Sequence, residues 1–280
     1  IYWSGNYWGE TCPDCANTDV QANLETDWPG AYKGLANGSA WIGDPGDAAS
    51  MENARLVRWA LSMAIDRQKI VDTVLGGFGE TAYVASNITP DRPEFSEEWR
   101  VPYDIAGAKQ KLIDAGYPEG FEITLWSACN LPAIWDCEIA DAVGEMWITN
   151  LGLDVTIDHA DYAVRRPESV NKEMNTPWLH GIAWLPGQSI ANFYCAHPGH
   201  LGGVTLPDDT CAIGKQNDIE PNMDKRLANN ASMTEYMSHW QTQSAIATVG
   251  NYFIYSSKIV EWRPYMTGYF NSAETIVLSE

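Results

Sequence analysis

The stretch from Met51 to Tyr83, MENARLVRWALSMAIDRQKIVDTVLGGFGETAY, restricts the possible folds of this chain more than any other. Its apolar residues fall in pairs, Leu56 with Val57, Ala60 with Leu61 and Ala64 with Ile65, at the spacing of one buried helical stripe. That spacing leaves Arg55, Arg58 and Ser62 expected on the solvent side. Ser50 is placed to cap the start of this helix. Asp66 stands where it should break and a second begin, with a carboxylate able to accept from the orphan N–H groups of residues 67 to 69. Ile70, Val71, Val74 and Leu75 give the second helix its own short stripe, and Gly76-Gly77 supplies the left-handed backbone that closes it. One face of each helix must pack inward.

A chain of 280 residues suffices for one large or two modest domains, and 45% hydrophobic content with 11% aromatics excludes a disordered chain. The formal net charge of -20 would repel nucleic acid and anionic membrane surfaces, so neither is an expected partner. The charge reads as solvated faces of an extracytoplasmic protein. No apolar run approaches the length of a bilayer span, and the amino end, IYWSGNYWGE, has neither a basic region nor an apolar signal segment. The six cysteines form three sequence-local pairs, Cys12 with Cys15, Cys129 with Cys137 and Cys195 with Cys211, which suits disulfides in an oxidising compartment.

Along the chain, residues 1–8 read as an aromatic strand and 9–50 as a Gly-, Asn-, Asp- and Pro-rich loop. After the helix pair, Ala82 to Tyr103 holds three prolines and should wrap irregularly. Asp104 is expected to cap a helix to about Ala115, stopped by Gly116. Phe121 to Trp126 alternates as a strand, Pro132 opens a helix to about Asn150, and Leu153 to Asp158 is the next strand. Trp178 to Pro186 is a further apolar run, 187–221 reads as loop, and Ser232-Met-Thr-Glu235 is a capping box opening a helix to about Val249. Strand-like residues follow from Tyr252. Helix, strand, helix, strand points to an α/β lobe with a largely buried sheet.

Two of these stretches carry a family pattern. VRWALSMAIDRQKIVDTVLGGFGETAY, and YDIAGAKQKLIDAGYPEGFEITLW from Tyr103 to Trp126, resemble ordered motifs of the peptide/nickel/oligosaccharide class, family 5, of ABC-transporter solute-binding proteins. The resemblance implies an α/β, periplasmic-binding-protein-like (type II) lobe with a mixed sheet and flanking helices, plus part of a second lobe. It divides the chain into a first crossover strand (1–8), a loop-rich insertion (9–50), the second α/β lobe (51–183), and a second crossover with the carboxy-terminal part of the first lobe (184–280). Family chains are considerably longer, so most of the first lobe is expected to be missing. The implied function is capture of a peptide-like or oligosaccharide solute between two lobes by a monomer, periplasmic or extracellular, with or without a lipid anchor at full length, and delivery to ABC permease subunits. No cofactor and no metal are implied.

Family contacts come from crossovers and strand-end loops, which here places Asn6, Tyr7, Trp8, Trp126, Asn130, Trp184, Asn192 and Tyr194 at the ligand. Peptide-binding members usually carry an Asp just after the second crossover. Ala183 to Ser189 has no acid, which shifts the expectation toward an uncharged solute. The 13 tryptophans favour stacking on sugar rings or apolar side chains. Trp59, Trp147 and Trp240 are better read as core, whereas Trp8, Trp126 and Trp184 serve core or cleft equally well.

CPDC has thioredoxin-type spacing, but the Asn/Thr/Asp-rich loop after it favours a structural disulfide. Cys195, His197, His200 and Cys211 could hold zinc in principle, although a Cys195–Cys211 disulfide is the simpler reading. His159, Asp161 and the acid pairs Glu97-Glu98 and Asp208-Asp209 show no catalytic arrangement. No GxSxG, HExxH, Walker or dinucleotide fingerprint supports an enzyme. The competing class is a secreted carbohydrate-active enzyme or carbohydrate-binding module, which as an enzyme would show a carboxylate pair flanking a groove. A stapled structural domain without a ligand is the third reading.

Overall fold

The computed structural model describes residues 1–6, 38–44, 46–84, 88–129, 135–170, 173–181, 204, 206, 208–250, 255–262 and 275–279. The opening helix, α1, runs Ala48–Met63, and α2 runs Arg67–Thr73. Asp47, not Ser50, caps α1, its carboxylate accepting from the N–H groups of Ala49 and Ser50. The Ser50 hydroxyl instead accepts from Asp44 N at 3.0 Å. Asp66 caps α2 through Lys69 N at 3.0 Å. A short strand β1, Gly79–Thr81, leaves this pair.

Asp104 caps α3 (Ile105–Asp114), and Gly116 beyond it takes φ +90°, closed to a side chain without strain. Strand β2 is Glu122–Ser127, helix α4 is Asp136–Leu151 and strand β3 is Asp154–Asp158. Helix α4 thus starts later than the proline had implied. Helix α5 covers Tyr162–Val170 and strand β4 is Trp178–Leu179. The parallel sheet runs β3-β2-β4, with Glu122 opposite Asp154, Trp126 opposite Asp158, and Trp126 also opposite Trp178. Parallel strands are normally buried on both faces, and here helices lie on both. Helices α1, α3 and α4 close one face over Ile123, Leu125, Val143 and Trp147. Gly144 permits this approach: a Cβ there would stand 2.6 Å from Ile157 Cδ1.

Helices α6 (Asp208–Ile219) and α7 (Met223–Trp240) pack against the other face, where Cys211, Met233 and Met237 join Trp126 and Trp178. Two expectations fail here. Residues 208–219 are helix rather than loop, and the Ser232 capping box lies inside α7, which Asn222 caps through Lys225 N at 3.1 Å. Ser232 instead donates to Ala228 O, one turn back. The helix ends at Trp240 because Gln241 turns left-handed at φ +46°. Beyond it, β5 (Ala247–Val249) pairs antiparallel with β1, and β6 (Ile259–Glu261) pairs with β7 (Val277–Leu278).

Arg58 and Ser62 do not face solvent: both side chains are fully buried. The Arg58 guanidinium donates to Trp240 O at 3.0 Å, Trp41 O at 2.7 Å and Asn6 Oδ1 at 3.2 Å. Arg67 likewise donates to Ala245 O at 2.9 Å, Ala82 O at 3.1 Å and Ser62 Oγ at 2.8 Å. The face of α1 opposite its apolar stripe is covered by residues from distant parts of the chain, which local periodicity cannot register. Replacing Arg58 by Leu removes three charge-assisted hydrogen bonds to buried oxygens and is expected to cost about 3 kcal/mol or more. Arg55→Ala, which breaks only the half-exposed pair with Glu52, should cost less than about 1 kcal/mol. Chemical denaturation of the two variants checks the contrast.

Candidate functional site: the carboxyl edge of the sheet

In an open α/β sheet, ligands bind outside the carboxyl ends of the parallel strands. Here that edge is built from Trp126 to Cys129 after β2, Asp158 to Ala160 after β3, and Leu179 to Gly181 after β4. The amino-terminal segment joins it antiparallel: Tyr2 N donates to Trp178 O at 2.7 Å, and Trp178 N to Tyr2 O at 3.0 Å. Tyr2 also bridges to Gln243, so the lobe's sheet is mixed, with the amino-terminal segment beside β4 at one margin.

Aromatic rings stack across this edge. Trp126 and Trp178 lie 4.5 Å apart between centroids at 20°, and His180 stacks on Trp178 at 4.5 Å and 17°. Tyr162 closes the column, 5.9 Å from Trp178 and 6.4 Å from Trp126. Trp126 is fully buried and donates to Ala160 O at 2.8 Å. Trp178 is also fully buried, but its Nε1 has no acceptor among the described residues. Beside the column, Asp136 opens α4 and accepts from Gly181 N at 2.8 Å. Burial pushes its carboxyl up to about 6, with the Gly181 donor pulling the other way. His180 Nδ1 is 3.8 Å from Asp136, too far for a hydrogen bond, and burial lowers that imidazole to about 4. At neutral pH the edge therefore presents a neutral imidazole above a mostly ionised, buried carboxylate.

The edge also holds the Cys129–Cys137 disulfide, with Cα atoms 5.2 Å apart. His159 lies beside it, 3.5 Å from Cys129 Sγ, and its other ring nitrogen is 3.1 Å from Asp141 Oδ1. Asp141 is thus the partner of His159, where the sequence had drawn attention to Asp161. A separate polar recess of about 290 Å³ opens at the opposite, amino edge, lined in part by Trp41, Glu122, Thr124, Asp154 and Thr156.

Of the expected ligand residues, Trp126 is at this edge, inside the column. Asn6 is fully buried and bonded at all four positions of its amide: Nδ2 donates to Trp3 O and Trp41 O, while Oδ1 accepts from Gly43 N and Arg58. It braces the crossover and keeps no valence for a solute. Tyr7, Trp8, Asn130, Trp184, Asn192 and Tyr194 lie outside the described residues, as do Cys12, Cys15 and Cys195. Cys211 is disulfide-bonded. The sequence reading missed Asp136 and His180. Asp136 was hidden by starting its helix too early, although an acid in a first helical turn is a readable sign.

Comparison with known proteins matches residues 30–195, more than half of the chain, to the family model of bacterial extracellular solute-binding proteins, family 5. The glutathione-binding protein GsiB of Salmonella typhimurium is 40% identical over 75 residues, which is 26% of this chain and 14% of that protein. Among solved structures, HbpA2 from Haemophilus parasuis superposes with a TM-score of 0.65 at 19% identity, over 81% of this chain and 45% of that one. DppA from Helicobacter pylori, in complex with the peptide STSA, gives 0.59 at 18% identity, over 82% of this chain and 45% of that one. The chain therefore spans less than half the length of these structures, and their likeness establishes the type II periplasmic-binding fold. With the family model covering both sequence motifs and the three strands of the parallel sheet, the chain belongs to the bacterial extracellular solute-binding proteins of family 5.

Proposed function

We propose that this chain forms one wall of the cleft in the solute-binding component of an ABC importer, and that a small peptide-like solute lies against the carboxyl edge of its sheet. The observation that carries this reading is the aromatic column at that edge in a chain of a solute-binding, non-enzymatic family. Buried Trp126 and Trp178 hold the partly exposed rings of Tyr162 and His180 rigidly at the edge, and binding then needs only a few fixed polar groups. Relatives named for glutathione and crystallised with a peptide support a peptide-like ligand over other classes. An oligosaccharide is the second reading, favoured by the 13 tryptophans and the acid-free stretch from Ala183 to Ser189. Permease subunits are the partner of the loaded protein.

Thermal-shift titration with glutathione, di- and tripeptides and neutral oligosaccharides tests the proposal. A peptide is expected to stabilise without turnover, by about 2.7 kcal/mol at a hundredfold excess over Kd. Turnover of any of these, or no stabilisation by any, contradicts it.

His180 adds a pH test of the edge. Its folded value near 4 lies below its ordinary 6.5, so the unfolded state takes the proton first as pH falls. Stability is lost through that window. Asp136 on α4, shifted upward, acts in the opposite sense, but it is present in both wild type and His180→Asn and cancels in their difference. Between pH 7 and 4, the variant should gain on the order of 2 kcal/mol relative to wild type, seen as a widening gap in Tm. A constant gap contradicts a buried neutral imidazole.

A further inference from the structure

Three potential metal ligands converge on one spot of the carboxyl edge. Cys129 Sγ, Cys137 Sγ and a ring nitrogen of His159 all lie within 4.8 Å of one another. They come from the end of β2, the first turn of α4 and the residue after β3, so the parallel pairing of β2 with β3 and the α4 crossover bring them together. Cys129 is held with φ +51°, in left-handed backbone that a non-glycine residue seldom adopts. In the disulfide form the two sulfurs are joined and no ion can use them.

The imidazole is nonetheless set as a ligand would be. Its Nδ1 is 3.5 Å from Cys129 Sγ. Metal–sulfur and metal–nitrogen bonds of about 2.3 and 2.0 Å at a tetrahedral angle place S and N roughly 3.5 Å apart, so one edge of the tetrahedron is already present. Behind it, His159 Nε2 contacts Asp141 Oδ1 at 3.1 Å. A carboxylate on the far nitrogen fixes the tautomer with Nε2–H donating and leaves the Nδ1 lone pair facing the sulfurs, the usual support of a metal-bound histidine. Asp141 follows Cys137 by one helical turn, so one face of α4 supplies both a ligand and the support for another. The N–H groups at the start of α4 favour negative charge on Cys137. Cys129 and His159 are exposed, open to an ion from solution.

We propose that Cys129, Cys137 and His159 form a redox-gated site for a thiophilic divalent ion such as Zn²⁺, closed as a disulfide and opened by reduction. A dithiol supplies two electrons and two protons. The Cys129–Cys137 S–S bond breaks, two thiols form, and the reductant leaves as its own disulfide. Rotation of a cysteine side chain then separates the sulfurs. The divalent ion displaces both thiol protons to solvent, forms two metal–sulfur bonds and accepts the His159 Nδ1 lone pair. Water completes the tetrahedron, and Asp141 orients the imidazole without touching the ion.

Cobalt(II) alone, titrated into the 280-residue protein after dithiol reduction and anaerobic desalting, is the probe, because thiolate-to-cobalt charge transfer reports sulfur ligation. The other four cysteines can also bind cobalt once reduced, so the comparison is with Cys129→Ser/Cys137→Ser in the same state. The reduced wild type should bind one more equivalent than that variant, and the two should not differ when oxidised. His159→Ala, a change at an exposed position, should weaken this equivalent at least about tenfold, and Asp141→Asn by about 10- to 100-fold. Equal stoichiometry in wild type and double variant, or unchanged affinity in His159→Ala, overturns the proposal whether or not the reduced chain stays folded.

Discussion

A buried guanidinium holds this lobe together. Arg58 projects from the polar face of α1 into the interior and is gripped by oxygens of Asn6, Trp41 and Trp240, residues from three remote parts of the chain. Burial lowers it to about 9, so it stays protonated at neutral pH and the protein must keep those acceptors in place. Arg67 repeats the device one helix later, tying α2 to Ala82 and Ala245. Trp3 adds an apolar counterpart, stacked on Trp147 at 6.0 Å while its Nε1 donates to Ser244 Oγ. The amino-terminal segment and the residues after α7 are thereby fastened to the helix pair as parts of one body.

That fastening makes the carboxyl edge of the sheet a usable surface. Because Tyr2 is locked between Trp178 and Gln243, the crossover runs along β4 and aligns its margin with the strand ends. The rings of Trp126, Trp178, His180 and Tyr162 then stack in one column. Helix α4 brings Asp136, Cys137 and Asp141 to the same edge, and Gly144 lets it lie close enough to β3 to do so. Aromatic column, buried carboxylate and the disulfide with its histidine are consequences of one βαβ unit.

The elements that local chemistry decides were legible in the sequence. Asp66 and Asp104 cap the helices expected of them, and Ile123 and Leu125 face inward from their strand. Residues whose environment comes from far away were not. Arg58 and Ser62 sit opposite the apolar stripe of α1, and their partners Asn6, Trp41, Trp240 and Arg67 reach them only in the folded chain. Asn6 reads as a polar group near the chain start, and only its distant partners Trp41, Gly43 and Arg58 make it a brace. Helix α7 begins in Met223–Ala231, which is poor in apolar residues, so its start was placed at the stronger capping signal of Ser232. The roles of Asp136 and His180 and the pairing of Asp141 with His159 required the fold.

The central claim is that the amino-terminal segment is bridged into the lobe's sheet and is not a tail lying on it. Native-state hydrogen exchange at the Tyr2 and Trp178 amides, which donate to each other's carbonyls, tests it most directly. Both should open with free energies close to that of core amides in α1, rising and falling with global stability. Exchange of either amide at the rate of a frayed terminus, with α1 still protected, would contradict the account.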